Sequence, residues 1–222
     1  MDYDRLRGNG LQNFLQNYVN MGLFYADYSL FMYHKGDIFM ALLVYVDDIL
    51  LTSNNTQASK TFKEYLHVYF SIKDFGGLKY FHGIAVARGP DGMFLCQRKY
   101  ALEIIDECGL LGAKPVDFPL EENHKLALGT GRYLNDAARY RRLVRRLIYL
   151  TITRPKLTYT VHILSQFMQS PKEEHMEATR RVLRYLKGSA GKGIFLQAKN
   201  NLCNFMIFVI LTWEHFHYPA GC

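Results

Sequence analysis

Paired cysteines, long hydrophobic runs and an apolar leader are all missing from this chain. The four cysteines, Cys96, Cys108, Cys203 and Cys222, form no C-x-x-C pair, so their spacing offers no zinc site. They read as reduced thiols of an intracellular protein. The longest apolar runs reach about eight residues, far below the roughly 20 that span a bilayer. Met1–Gly10 is polar and charged and does not read as a signal peptide. The reading is a soluble, intracellular, non-membrane protein.

What is present fits a folded domain. Of 222 residues, 49% are hydrophobic and 21% charged, enough apolar side chain for a sizeable core. The net charge of +7 favours a polyanionic partner or an acidic membrane surface, although many basic proteins bind neither.

Leu11, Phe14, Leu15 and Tyr18 share one helical face, which predicts a helix from about Leu11 to Met21, ended by Gly22. A short strand is expected over Tyr28–His34. Two apolar runs, Ile38–Tyr45 and Ile49–Thr52, flank Val46-Asp47-Asp48 and predict a buried hairpin. Asn54-Asn55-Thr56 offers caps for a helix over roughly Gln57–Phe70. Ile72–Asp74, Lys79–Ala87 and Met93–Gln97 are strand-like, and Arg98–Cys108 is helical. Pro115, Pro119, Gly129 and Gly131 make 110–132 the expected linker. Helices are then expected over Ala137–Thr151, Leu157–Met168 and Lys172–Leu186, the last two started near Pro155 and Pro171. The fold class is α+β, an antiparallel sheet with helices followed by a helical second half.

Adjacent carboxylates at a stiff hairpin tip suit divalent-cation chemistry. Magnesium prefers carboxylate, phosphate and water oxygens, and a cation relieves the repulsion between neighbouring acids. Taken alone, Asp47-Asp48 reads first as a polar turn, since Asp is common in turns; the wider string changes that weighting. A second feature is basic. Arg139, Arg141, Arg142, Arg145, Arg146 and Arg154 crowd the first helix of the second half and the residues just after it, and Arg180, Arg184 and Lys187 lie on one stripe of the last. Such residues either neutralise phosphates or form a solvated helix face.

The string Met40–Leu51, with Tyr45-Val46-Asp47-Asp48 at its centre, resembles the Y-x-D-D hairpin of reverse transcriptases in its copia-type form. Further strings follow in the family's order. They are Phe70–Gly76, Leu78–Ile84, Phe94–Tyr100, Tyr140–Val144, Leu147–Pro155, Leu164–Met168 and Arg181–Gly188. The chain is thereby identified as resembling a C-terminal piece of the reverse transcriptase domain of a copia-type retrotransposon Pol polyprotein. The resemblance implies a partial palm with the start of the thumb over 1–109, a linker over 110–132, a helical thumb and connection over 133–199, and a divergent or frameshifted tail over 200–222. It implies RNA-directed DNA synthesis with Mg2+, deoxynucleoside triphosphates and an RNA or DNA template–primer duplex as partners, beside the missing segments of the polyprotein. By position, Asp47 and Asp48 would bind metal and Tyr45 would lie at the primer terminus. Lys79, Tyr80 and Gly83 belong to the string matching the primer-grip hairpin. Arg141, Arg142, Arg180, Arg184 and Lys187 would contact the duplex.

Three departures qualify this. The family's upstream catalytic Asp and its fingers have no counterpart here, so the chain is expected to be inactive alone. The alternatives are a non-catalytic nucleic-acid-binding remnant and a pseudogene product. His82, Ala85 and Arg145 replace the usual Leu, Glu and Gly; Arg145 would be costly if buried and harmless if exposed. Past Lys199 the resemblance stops. One codon choice for the tail, read in another frame, encodes a C-D-S-D opening of the RNase H type. This suggests a frameshift near Asn200–Phe205, with an ordinary divergent strand as the alternative.

Overall fold

The computed structural model describes residues 23–27, 29–45, 48–69, 73–121, 126–128, 131–197 and 206–211. It divides into two compact units: residues 1–78 with 198–222, and residues 79–197. The division falls at Leu78, upstream of residues 110–132, which belong to the second unit. The helix expected over Leu11–Met21 lies outside the described residues.

The first unit is built on strands β1 (Leu23–Asp27), β2 (Leu30–Lys35), β3 (Ile38–Tyr45), β4 (Asp48–Ser53), β5 (Lys73–Gly77) and a late strand, Met206–Leu211. Helix α1 (Thr56–Tyr69) follows β4. The alternation of strand side chains sets the sheet's buried face. Met40, Leu42 and Val44 of β3 and Ile49 and Leu51 of β4 are buried, and Phe62 and Leu66 of α1 pack with them. Each such burial contributes roughly 1.5–3 kcal/mol. Asn55 caps α1 by accepting the Ala58 N–H at 2.9 Å. Asn54 pins the other end of the hairpin: its Nδ2 donates to Asp37 O, and its Oδ1 accepts the Phe39 N–H. The strand expected over Tyr28–His34 begins two residues later.

The second unit has strands β6 (Tyr80–Phe81), β7 (Ile84–Gly89), β8 (Gly92–Cys96) and β9 (Ile194–Gln197), paired antiparallel in that order. Its helices are α2 (Arg98–Glu107), α3 (Ala137–Leu150), α4 (Thr158–Ser165) and α5 (Glu173–Gly188). On α3, Tyr140, Leu143, Val144, Leu147 and Leu150 follow the helical repeat, and all are buried. They meet Ile104 and Ile105 of α2, Val161 and Leu164 of α4, and Val182, Leu183 and Leu186 of α5 in one core. Asp136 caps α3 by accepting the Arg139 N–H.

Two expectations change here. Lys79–Ala87 is not one strand: it folds back at His82-Gly83, where φ is +45° and +86°. Both values suit a tight two-residue hairpin. The helix expected to run to Met168 ends at Ser165, because Gln166, Phe167 and Met168 donate to carbonyls three residues back and tighten the last turn. The coarse class stands, since the chain is a mixed α and β protein with antiparallel sheets. The late strand Met206–Leu211, labelled β10 below, joins the first sheet; the sequence offered it only as an alternative to a frameshifted tail.

Candidate metal and nucleic-acid sites

β3 and β4 pair in register from Met40↔Ser53 to Tyr45↔Asp48. Tyr45 and Asp48 therefore stand opposite each other at the tip of a mostly apolar ladder. Tyr45 is 51% exposed and Asp48 half-buried. Val46 and Asp47 lie outside the described residues, so of the predicted acidic pair only Asp48 is placed. Among the described residues no three His, Cys, Asp or Glu side chains gather to hold a metal ion. Asp48 by itself does not make a magnesium site, which takes more oxygen ligands than one carboxylate supplies.

In the second unit, Lys79 and Tyr80 are exposed on the β6–β7 hairpin. Lys79 O accepts the Val86 N–H at 2.8 Å, which leaves the lysine side chain outside the ladder. Gly83 occupies the left-handed turn position that its missing side chain permits. A Cβ there would fall 3.7 Å from the Tyr149 ring and 3.8 Å from Tyr100, ordinary contact distances. The Tyr149 hydroxyl donates to His82 O, and Tyr100 packs edge-on against Tyr149 at 5.3 Å. The hairpin is thus fastened to α3 through backbone, whatever residue stands at 82. Beside it, Tyr80, Arg98, Lys99, Leu102 and Leu111 help line an open cleft of about 720 Å3.

The predicted basic contacts occupy different situations. Arg142 is exposed, and so is Arg145. The second alternative for Arg145 therefore holds: no buried charge results. Arg141 is half-buried and donates to Met168 O at 3.4 Å. Arg180 pairs with Glu177 one turn earlier at 2.6 Å. Arg184 Nε donates to Lys114 O at 2.8 Å and Lys187 Nζ to Ala113 O at 2.7 Å. Arg181 meets Glu121 at 3.0 Å. The stripe on α5 thus holds down residues 113–121. Arg146, packed over the Tyr100 ring at 5.4 Å, pairs with Glu107 of α2.

Comparison with known proteins decides the family. Residues 11–122 match the model of the reverse transcriptase (RNA-dependent DNA polymerase) family. The chain belongs to that family. It is 44% identical over 177 residues to the retrovirus-related Pol polyproteins of transposons RE1 and RE2 of Arabidopsis thaliana, matching 80% of this chain but 12% of either polyprotein. Such relatives are of the copia type. It is also 38% identical over 183 residues to an uncharacterized mitochondrial protein of the same plant, covering 82% of this chain and 73% of that one. No solved structure matches.

Sequence reading missed the buried polar support of this reverse transcriptase segment. Arg154, counted among the basic residues, is 6% exposed. Its guanidinium donates to Ser189 O and Ala190 O at 2.6 Å each, closing the C-terminal end of α5. A cation there also meets the negative end of the helix dipole. Burial lowers its pKa. Beside it, Thr153 Oγ1 donates to Gln97 Oε1 at 2.8 Å, and both residues are buried. The available signal was Arg154 closing the charge-free run Leu147–Thr153 directly before Pro155, where a cation can serve carbonyls instead of solvent.

Proposed function

We propose that this chain is the part of a reverse transcriptase domain that carries the acidic hairpin and the duplex-holding helices. In this reading the first unit is a partial palm and α2–α5 are thumb and connection. Asp47 and Asp48 are its metal-binding carboxylates, and Tyr45 faces the primer end. The single observation behind the reading is the Tyr45↔Asp48 pairing at the tip of a hairpin whose interior residues are buried. That ladder is stiff enough to hold a catalytic group still. Family chemistry supplies two divalent cations that stabilise the attacking and leaving oxygens of phosphoryl transfer. The described residues bring one carboxylate to this place, so no step is assigned through a metal. The two-metal site takes carboxylates beyond Asp47 and Asp48, and in this reading the chain alone is inactive as a polymerase.

Purified chain with primed template, deoxynucleoside triphosphates and Mg2+ tests this. The expected result is no incorporation. Templated incorporation that Asp47→Ala abolishes would overturn the inactivity and keep the site. Incorporation that survives Asp47→Ala would overturn both.

A second reading is a non-catalytic binder of template–primer duplex. It is favoured by exposed Arg142 and by the cleft beside Tyr80. It predicts salt-dependent duplex binding that survives Asp47→Ala. The frameshift proposed for 200–222 is decided by the genomic DNA: it fails unless another frame past Asn200 encodes an RNase H-like continuation.

A further inference from the structure

In the first sheet, the neighbours β1–β2, β2–β3 and β3–β4 are consecutive in sequence. β10 breaks the pattern. It enters between β4 and β5, antiparallel to both, after the whole second unit has intervened. Its pairing with β4 runs the length of both strands, from Met206↔Ser53 to Leu211↔Asp48. Its pairing with β5 is shorter and irregular between Phe208 and Ile210. β5 has no other strand neighbour among the described residues, so its place in the sheet depends on β10.

Two properties suit this strand to be a docked segment. Met206–Leu211 contains no ionisable side chain and includes Ile207, Val209 and Ile210, a composition that pairs readily with an open edge. It also comes last in the chain, after every other strand of its sheet and the whole second unit. A late apolar strand inserted between earlier ones can leave its slot and be replaced by another.

We propose that the gap between β4 and β5 is a strand-acceptor site, and that Met206–Leu211 is the plug this chain inserts into it. Without the plug, β4 presents an unpaired row of N–H and C=O groups that takes an extended, uncharged segment antiparallel to it. The occupant also sets what stands opposite Asp48. Here it is Leu211, which offers a metal ion no ligand. That last consequence rests on the proposed function of the tip; the slot itself does not.

Amide hydrogen exchange on the full chain tests the slot. Val209→Pro removes a ladder N–H from an interior strand. It is expected to speed exchange at Ile49–Thr52 and Asp74–Gly77 at least about tenfold, with α3 and α5 unchanged. A peptide of residues 206–211, with lysines added outside the strand, is expected to restore protection; the same peptide with proline in place of Val209 is not. Unchanged exchange at β4 and β5 would overturn the plug. Loss without rescue would overturn the acceptor site. A second variant covers the case in which Val209→Pro unfolds the unit. Thr52→Cys with Ile207→Cys places thiols at paired positions. The oxidised, cross-linked chain is expected to refuse the labelled peptide and the reduced chain to bind it. Equal binding by both forms would overturn the proposal. Each readout is independent of nucleotide incorporation, so it fails separately from the reading of the tip.

Discussion

The tip of the β3–β4 hairpin and the arginine-bearing helices of the second unit assign work to residues in opposite ways. In the hairpin, support and the proposed chemistry are separate: mostly apolar side chains along the strands make the ladder, and Tyr45 and Asp48 stand at its end. In the helices, one residue type does both jobs. Arg142 and Arg145 face solvent, Arg184 and Lys187 bind carbonyls of 113–114, and Arg154 is buried beneath the end of α5. A charge count along a helix therefore overstates the surface offered to phosphate. A side chain that pins backbone has fewer donors left for a polyanion: Arg184 spends its Nε and Arg154 both terminal nitrogens.

The largest effect that sharpens this contrast is at Arg154. Arg154→Ala leaves Ser189 O and Ala190 O without their cation and is expected to destabilise the second unit by about 3 kcal/mol. Urea unfolding followed through amide exchange in α3 and α5 measures it, with the β3–β4 ladder of the first unit as an unaffected reference. A loss under about 0.5 kcal/mol, the size of an ordinary surface change, would mean Arg154 is a surface cation after all.

Tyr140 tests the same core through pH. Its hydroxyl donates to Leu164 O at 2.7 Å, and burial pushes its pKa up to about 12. The unfolded phenol titrates near 10. The folded value is the raised one, so the stabilisation is complete below pH 10 and is lost as pH rises towards 12. The second unit is expected to lose about 2–3 kcal/mol across that window. Tyr140→Phe should remove this pH dependence while costing about 1 kcal/mol at neutral pH. A Phe variant with the parent's alkaline profile would place the titration elsewhere.

How far this was legible follows the range of each interaction. The hairpin, the cap at Asn55 and the buried stripe of α3 depend on neighbours within a few residues, and the apolar spacing carries them. The hairpin turn at His82-Gly83 was harder: side-chain composition left Lys79–Ala87 as one strand-like run, and only the resemblance of Leu78–Ile84 to a hairpin pointed to the fold-back that the positive φ pair makes. Met206–Leu211 reads as a strand from its side chains, but nothing local names β4 and β5 as its partners. The burial of Arg154 was likewise hidden: its acceptors are backbone carbonyls 35 and 36 residues away, and carbonyls carry no sequence signature. At the site, the strings around Tyr45–Asp48 carried the family, while the roles of individual arginines depended on what each one touches.

Next in size is the split between solvent-facing and engaged cations. Arg184→Ala is expected to cost the second unit about 1 kcal/mol by releasing Lys114 O. The double change Arg142→Ala and Arg145→Ala is expected to leave stability within about 0.5 kcal/mol. Duplex affinity should respond in reverse: its salt slope falls by about one for each phosphate that the exposed pair no longer neutralises. If Arg184→Ala flattens the salt slope at unchanged stability, the engaged and solvent-facing groups have been assigned the wrong way round.

The smallest effect isolates the β6–β7 turn from its anchorage. His82 holds φ at +45°, where a β-carbon is strained and Asn is better tolerated. Its carbonyl, not its imidazole, takes the Tyr149 hydroxyl. The side chain makes an edge contact with the Phe81 ring at 4.2 Å. His82→Asn should therefore relax the turn and keep the anchor, stabilising the second unit by about 0.5 kcal/mol. Gly83→Ala keeps the anchor too but places a Cβ at φ +86°, and is expected to destabilise by about 1 kcal/mol. Paired urea midpoints for the two variants check the opposite signs. If both variants destabilise, the imidazole matters to the hairpin more than the turn geometry does, and the Tyr149 bond alone does not hold it.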